Sequence, residues 1–247
     1  MNMLIDLKKI FHSLTLRIPQ RIALRNGLRV TTYSTADNSL FWSIFTSDEY
    51  LSFVPYLVKS DIEIKSVVDC GAACGYFSLL VEHLCLSKVL KWTPQYLCVE
   101  PAKQNFTKLQ DNFNQPIFAG RHELVQAAIG QRSGYVTFYE SSKSPWSSSV
   151  NLRPGLSGEK TSIAYYDIAP FVNNGCCLLK LDIEGSEFSF IESYFDQMNG
   201  VGAMIIEWHH DEGDVNKAKQ LLDKIGLIHV HTSRRLDRRS VELYMRK

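Results

Sequence analysis

The stretch KLDIEGSE, residues 180–187, follows the apolar run CCLL directly and brings one lysine and three carboxylates together. An apolar run that ends in acids is typical of a buried parallel strand where it leaves a sheet at its carboxyl end. We expect Lys180 to pair with a neighbouring carboxylate, Asp182 to face a ligand, and Glu184 with Glu187 to begin the next helix, where negative charge is favourable. The plainer alternative is a strand–helix corner held together by ion pairs.

A second strand end reads VVDCGAACGYF, residues 67–77. Asp69 ends the strand, Gly71 permits a sharp turn, and Gly75 lets the following helix begin close to an anionic group. The spacing D-x-G-x-x-x-G departs from the dinucleotide fingerprint, so a nucleoside without a pyrophosphate is the simpler ligand. Alternatively, the glycines serve only a tight strand–helix turn.

A third strand ends at Glu100 in QYLCVEPAKQN. An acid at this point of an α/β nucleotide site accepts hydrogen bonds from ribose hydroxyls, and Pro101 then opens a helix. By itself Glu100 could equally offset only the dipole of that helix. The neighbouring Asp69 and Gly71 favour the ligand-binding interpretation.

From residue 64 onward, apolar strands alternate with amphipathic helices, which predicts a doubly wound, mainly parallel α/β sheet. The closing segments LIHVHTS and VELYMRK predict an antiparallel edge hairpin. Before the sheet, Asn26-Gly27 in RIALRNGLRVTTY predicts another hairpin, and TSDEYLSFVPYLV predicts helix with a bend at Pro55. Ligands on such sheets bind beyond the carboxyl ends of the strands.

The composition is that of a globular protein without a general attraction to nucleic acid, since 27 Lys and Arg balance 26 Asp and Glu. We expect a small-molecule or protein partner. The sequence leaves open whether the protein forms homo-oligomers. The six cysteines lack paired C-x-x-C clusters, which favours reduced thiols. The N-terminal stretch carries charges that interrupt its apolar residues, so we expect neither a signal peptide nor a membrane span, and a cytoplasmic protein.

The motifs taken together resemble one family. VVDCGAACGYFSLL, CVEPAKQNFTKLQDN, YYDIAPF leading into LLKLDIEGSEFSFIE, and IIEWHH are similar to the FkbM family of S-adenosylmethionine-dependent methyltransferases, over roughly residues 40–210. The resemblance implies a class I methyltransferase (Rossmann-like) fold and methyl transfer to a hydroxyl of a natural product, sugar or lipid-like acceptor. We divide the chain into a hairpin and helical extension, residues 1–60, that caps a methyltransferase domain, residues 61–247.

The resemblance also implies a site for S-adenosyl-L-methionine. Asp69, Gly71 and Gly75 would line its methionine end, Glu100 would hold the ribose, and Asp182 would face the cofactor amine and the acceptor. Cys70 and Cys74 within the first motif, and the pair His209-His210, depart from the family's usual pattern. The expected cofactor residues are Asp69, Gly71, Ala72, Gly75, Tyr76, Phe77, Glu100, Pro101, Gln126, Ala127 and Asp182.

A hydroxyl acceptor gains from removal of its proton, and Asp182, Glu207 and His209 are the candidates for that base. His209 is attractive because the unperturbed pKa of histidine suits neutral pH, although a solvent-facing or core histidine is equally plausible. Asp182, Glu207, His209 and His210 are also chemically able to bind a divalent cation. Adjacent histidines on a strand point opposite ways, so we expect no metal.

The acceptor site is expected from Glu49, Tyr50 and Trp146, the last in the polar segment 140–160, which could form a lid. Four arginines, 234, 235, 238 and 239, predict either a solvated turn or a patch for a carrier-bound or phosphorylated acceptor. Three alternative functions remain open at this point: N-methyl transfer, a non-catalytic cofactor-binding or assembly protein, and an NAD-dependent oxidoreductase, which the first-motif spacing disfavours.

Overall fold

The computed structural model describes residues 19–131, 133–141, 158–173 and 175–247. The chain begins with an antiparallel hairpin of β1 (Gln20–Ala23) and β2 (Arg29–Thr32), as the Asn26-Gly27 pair predicts, with Gly27 at φ +89°. Ser34 caps the next helix by accepting a hydrogen bond from the Asp37 amide. Three helices follow: α1 (Thr35–Thr46), α2 (Asp48–Leu51) and α3 (Val54–Lys59).

Strands and helices alternate through the rest of the described chain. The strands are β3 (Ser66–Cys70), β4 (Gln95–Val99), β5 (His122–Val125), β6 (Ala128–Ile129), β7 (Tyr135–Ser141), β8 (Gly158–Tyr166), β9 (Cys177–Leu181), β10 (Val201–His209), β11 (Leu227–Arg235) and β12 (Arg239–Arg246). The helices are α4 (Tyr76–Leu86), α5 (Lys103–Phe113), α6 (Ala169–Asn173), α7 (Glu187–Tyr194) and α8 (Val215–Lys224), with short 3-10 turns at Pro116–Phe118 and Phe195–Gln197.

Seven of these strands form the central sheet, in the order β11-β12-β10-β9-β3-β4-β5. The pairs from β10 to β5 are parallel, and β12 is antiparallel to both of its neighbours. The prediction of a doubly wound, mainly parallel α/β sheet is therefore confirmed. The C-terminal hairpin is confirmed too, but its last strand, β12, lies inside the sheet and its first, β11, forms the edge.

The sheet separates two apolar cores, because successive side chains of a strand point to opposite faces. Val67 packs on the face that carries α4, α5 and the N-terminal segment, here the hairpin β1–β2 with helices α1 to α3. Val68 packs on the opposite face, which carries α6, α7 and α8. The N-terminal segment is attached to the first face by hydrogen bonds as well. The Tyr76 hydroxyl donates to the Thr31 carbonyl at 3.0 Å, and the ammonium of Lys108 lies 3.0 Å from buried Asp37.

A second, three-stranded sheet lies between β5 and β9 in the sequence, with β8 in its middle. The segment 140–160, expected to be a loop, contributes its two ends to the antiparallel pair β7 and β8. Its central part, including Trp146, lies outside the described residues. Within the described ranges, no helix has the length and apolar character needed to cross a membrane.

Candidate active site

A cavity of about 250 Å³ lies beyond the carboxyl ends of β3, β4, β9 and β10, where the strand-end motifs predict a ligand. Its walls come from the N-terminal segment, from the loops that follow the strands of the central sheet, and from the second, three-stranded sheet, which we call the inserted sheet. The lining residues are Leu40, Ile44, Glu49, Tyr50, Gly71, Ala72, Ala73, Cys74, Tyr76, Phe77, Val99, Glu100, Pro101, Asn105, Ala127, Ala128, Ile129, Phe138, Tyr165, Lys180, Asp182, Ile183, Glu184, Ser186, Ser189 and Glu207.

Gly71 brings two walls of the cavity into contact. It has φ +74°, and a Cβ atom there would lie 1.9 Å from the backbone oxygen of Asp182. Only glycine permits both this conformation and this approach. Gly75 has a different role, because a Cβ there would lie 2.6 Å from the Leu109 side chain. Gly75 thus allows α5 to pack closely and does not line the cavity.

Glu100 is a buried carboxylate at the cavity wall. Its two oxygens accept hydrogen bonds from the backbone amides of Ala73, at 2.8 Å, and Ala102, at 2.9 Å. Burial raises the pKa of Glu100 to about 7, although these two hydrogen bonds act to lower it. Each carboxylate oxygen can accept more than one hydrogen bond, so Glu100 can also receive hydroxyl donors from a ligand in the cavity.

Lys180 is a buried cation beneath the same loops. Its Nζ donates to the Gly71 carbonyl at 2.7 Å and lies 3.4 Å from carboxylate oxygens of both Asp69 and Asp182. Burial would lower the pKa of Lys180, but the charges of Asp182 and Asp69 raise it above its usual value. The expected pairing of Lys180 with a neighbouring carboxylate is confirmed. Asp69 itself is fully buried, accepts a hydrogen bond from Ser78, and does not line the cavity.

Asp182, after β9, and Glu207, on β10, lie at the end of the cavity away from Glu100, which follows β4. Burial and the charge of Asp182 raise the pKa of Glu207 to about 7, against the opposing charges of His209 and Arg239. The Asp182 side chain is 26% exposed, whereas that of Glu207 is 12% exposed. Glu207 is therefore a shielded carboxylate that can change its protonation state near neutral pH.

Tyr50 and Glu49, from α2, complete this end of the cavity. Tyr50 is buried, and burial raises the pKa of its phenol. Glu49 accepts a hydrogen bond from Arg234 at 2.6 Å. Two other arginines of the same turn pair with acids, Arg239 with Glu207 and Arg238 with Asp211. The turn is thus largely charge-neutralised.

His209 lies behind the cavity wall and does not line it. Its Nδ1 is 3.1 Å from a Glu187 oxygen and its Nε2 is 3.5 Å from a Glu184 oxygen. Burial would lower the pKa of His209, but the hydrogen bond to Glu187 and the charges of Glu187, Glu184 and Asp182 raise it to about 9. The imidazole is therefore protonated at neutral pH, and the reason for expecting it to act as a base there does not apply.

Asp182, Glu187 and His209 each bring one possible ligand atom within 4.8 Å of the others, a grouping that could hold a metal ion. A protonated His209 already supplies positive charge to this group, and it would have to lose its proton before it could bind a metal. His210 is not part of the group, because its Nε2 lies 2.9 Å from the Ser240 hydroxyl. The two adjacent histidines thus have separate environments.

The structure brings most of the expected site residues to one cavity. Those that line it are Glu49, Tyr50, Gly71, Ala72, Tyr76, Phe77, Glu100, Pro101, Ala127, Asp182 and Glu207. Asp69, Gly75 and His209 lie behind the walls, and Gln126 is exposed, with its amide 3.4 Å from the Pro101 carbonyl.

Sequence reasoning missed the contributions of Phe138 and Tyr165, which come from the inserted sheet. It also missed Leu40 and Ile44 of α1, which line the cavity. Their i, i+4 spacing predicts that they share one face of the helix, but it does not predict which part of the protein that face contacts. Lys180 was expected to be an ion-pair partner, and its position in the cavity wall was not foreseen.

Residues 69–234 match the family model described as the Methyltransferase FkbM domain. No curated protein matches the sequence. A crystal structure of methyltransferase FkbM from Methylobacillus flagellatus KT is 19% identical, with a TM-score of 0.49, and the alignment covers 74% of this chain and 43% of that one. This chain thus aligns with less than half of the Methylobacillus protein.

Two further solved structures are similar at lower identity. TrmK from M. capricolum, in complex with S-adenosyl-homocysteine, is 11% identical with a TM-score of 0.42, covering 78% of this chain and 67% of that one. The human methyltransferase 10 domain containing protein is 11% identical with a TM-score of 0.47, and the alignment covers 98% of this chain and 95% of that one. Since the family match spans about two thirds of the sequence, the chain belongs to the FkbM methyltransferase family.

Proposed function

We propose that the protein is an S-adenosyl-L-methionine-dependent methyltransferase that moves a methyl group to a hydroxyl of a small-molecule acceptor, such as a natural product, sugar or lipid-like compound. The observation that carries the proposal is one cavity with two different ends. Glu100 follows β4 at one end, and Glu207 lies on β10 at the other, with β9 and β3 between them. The two ends thus offer separate sets of polar groups, one suited to a nucleoside and one to an acceptor.

The cofactor half of the cavity fits a nucleoside with a cationic side chain. When bound, S-adenosylmethionine supplies an electrophilic methyl group. Glu100, fixed by two backbone amides, would accept hydrogen bonds from the ribose hydroxyls, and Ala127 and Pro101 would contact the base. Asp182 would balance the positive charge of the cofactor amine. The loop after Gly71 would lie against the methionine end.

Glu207 is the base that this site supports best. It lines the cavity and has a pKa near 7, so it is available as a carboxylate at neutral pH. Asp182 is more exposed and is paired with the buried Lys180, whereas the partner of Glu207, Arg239, is exposed to solvent. His209 is already protonated. Glu207 would take the proton of the acceptor hydroxyl, a step typically worth about 10² to 10⁴ in rate. Asp182 would orient the acceptor, and alignment of the reacting groups can contribute about 7 to 11 kcal/mol.

The N-terminal extension, residues 1–60, would serve as the cap that keeps water out. Four of its residues, Leu40, Ile44, Glu49 and Tyr50, line the cavity, and Tyr50 and Glu49 would contact the acceptor. Trp146 remains a proposed acceptor contact on the basis of the sequence alone. We assign the methyltransferase domain proper to residues 61–247.

Transfer to an amine is the alternative that one observation favours. Glu49, Asp182, Glu184 and Glu207 give the end of the cavity away from Glu100, the proposed acceptor end, four carboxylates, which could bind an ammonium group before it loses its proton. A neutral amine is a better nucleophile than a neutral alcohol. Methyl transfer to an amine therefore depends less on a base supplied by the protein. The pH dependence described in the Discussion separates the two acceptors.

Calorimetric titration with S-adenosylhomocysteine tests the cofactor assignment. The wild type should bind it, and Glu100→Gln should bind at least tenfold more weakly, because hydrogen bonds to a charged group are worth about 1.5–3 kcal/mol each. Glu123→Gln is the matched control, since Glu123 is exposed on β5 and bonds only to Tyr166 among the contacts described. No binding by the wild type would remove the basis for methyl transfer, and equal binding by Glu100→Gln would refute its role.

A further inference from the structure

We propose that Glu187 and His209, neither of which lines the cavity, are positioning residues that hold the turn between β9 and α7 in the shape described here. This turn, residues 182–186, carries Asp182 and Glu184 into the acceptor end. The inference rests on the proposed function, because it concerns how that end of the site is built. It assigns Glu187 and His209 to the support of the site and not to contact with the acceptor.

The turn has a conformation that needs support. Glu184 has φ +53° and Gly185 has φ +94°. Residues with a side chain rarely adopt positive φ, so Glu184 keeps this conformation only while its surroundings enforce it. At the start of the turn, the Asp182 amide donates to the Cys70 carbonyl at 3.2 Å. The middle of the turn requires another anchor.

Glu187 is that anchor. Its carboxylate accepts hydrogen bonds from the Ile183 amide at 3.0 Å and from the Gly185 amide at 3.0 and 3.2 Å. These amides flank Glu184 on both sides, so a single carboxylate fixes the backbone on either side of the strained residue. The Glu187 side chain is fully buried. A buried carboxylate is costly unless a cation compensates it.

His209 supplies the compensating cation. It is the last residue of β10, which pairs with β9 on one side and β12 on the other, so its backbone is held by the sheet. One ring nitrogen is 3.1 Å from Glu187 and the other is 3.5 Å from Glu184. In the imidazolium form, the Nδ1–H donates to Glu187, whereas Nε2 makes no hydrogen bond to the described residues and brings positive charge within 3.5 Å of Glu184. The neutral form has one N–H only, and its other nitrogen would present a lone pair to a carboxylate.

The charges around His209 favour the protonated form. Among the residues that the structure describes, Glu187, Glu184, Asp182 and Glu207 are acids that interact with it, and Arg239, its partner on β12, is a neighbouring cation. Acids therefore outnumber cations, which agrees with a pKa raised to about 9. Loss of the His209 ring should therefore loosen the Glu187 anchor, and the turn should then lose its fixed shape.

Backbone amide NMR of the full chain tests this arrangement without an acceptor. In the wild type, the amides of Ile183 and Gly185 should be protected from hydrogen exchange at neutral pH, because both donate to the Glu187 carboxylate. In His209→Leu, which removes the ring nitrogen that contacts Glu187, this protection should be at least tenfold lower. In Glu187→Gln, the protection should be at least tenfold lower at neutral pH.

His210→Gln is the matched control, because His210 contacts Ser240 and not the turn, and it should keep the wild-type protection. Wild-type Ile183 and Gly185 amides that exchange as fast as those of an unfolded chain would overturn the inference even if no variant folds. Protection in Glu187→Gln equal to that of the wild type would overturn it too. Calorimetry with S-adenosylhomocysteine keeps the two proposals apart: wild-type binding without protection of these two amides refutes only the positioning role.

Discussion

Asp69 and Lys180 lie directly opposite each other on the neighbouring parallel strands β3 and β9, with the lysine Nζ 3.4 Å from the Asp69 carboxylate. The same ammonium reaches Asp182 and the Gly71 carbonyl, at 3.4 and 2.7 Å. One buried cation thus connects the ends of two strands that form the cavity wall. An acid that does not line the cavity, Asp69, can therefore still determine its shape.

Replacing Lys180 with Met should destabilise the protein strongly. The substitution leaves Asp69 buried without a cation, and breaking a buried pair in this way typically costs about 3–5 kcal/mol of the free energy of unfolding. Urea denaturation measures the change. Lys217→Met is the control, because Lys217 pairs with Glu192 at the exposed surface, and its unfolding midpoint should match that of the wild type. If both variants unfold at the same urea concentration, Lys180 does not compensate Asp69.

The strand-end residues could be predicted because parallel strands release their polar side chains at one edge of the sheet. Gly71, Glu100 and Asp182 follow three such strands, and all three line the cavity. The sequence could not place His209 in the same way. Its partner Glu187 lies beyond a turn whose backbone folds back at Glu184, and no local periodicity reports that reversal.

The remaining differences concern long-range contacts. The hairpin signal near the C-terminus predicts that β11 and β12 pair, but it does not determine which of them pairs with β10. Phe138 and Tyr165 reach the cavity from a separate sheet inserted after β5, so their distance from Glu100 depends on how that sheet packs. Such contacts arise from the assembly of the whole domain, and residue spacing does not encode them.

Gly71→Ala should abolish binding of S-adenosylhomocysteine, whereas Gly27→Ala should leave it intact. Both glycines have positive φ, so both substitutions introduce backbone strain of about 1–3 kcal/mol. A Cβ at Gly71 would also collide with the Asp182 oxygen, at 1.9 Å, but a Cβ at Gly27 meets no atom within 4 Å. The difference between the variants therefore reports the contact between the two loops. Calorimetry and thermal melts measure it, and equal effects would refute the importance of that contact.

The turnover rate at saturating cofactor should rise with pH and level off above about pH 7. Glu207 acts as a base only when ionised, and burial together with Asp182 raises its pKa to about 7, so the protonated, inactive form dominates below that pH. Saturation with cofactor is necessary because Glu100, which has a similar pKa, would otherwise add its own effect on cofactor binding. The rate should fall about tenfold per pH unit well below the midpoint.

Glu207→Gln should lower this rate by about 10² to 10⁴ and remove the rise near pH 7, because the amide cannot accept the proton. Glu192→Gln, an exposed carboxylate on α7, provides the control and should keep the wild-type profile. The profile also distinguishes the acceptors, since an alkylamine acceptor would give a rise governed by its own pKa, about 10 in model compounds. A rise at that higher pH, retained in Glu207→Gln, would exclude Glu207 as the base and favour transfer to nitrogen.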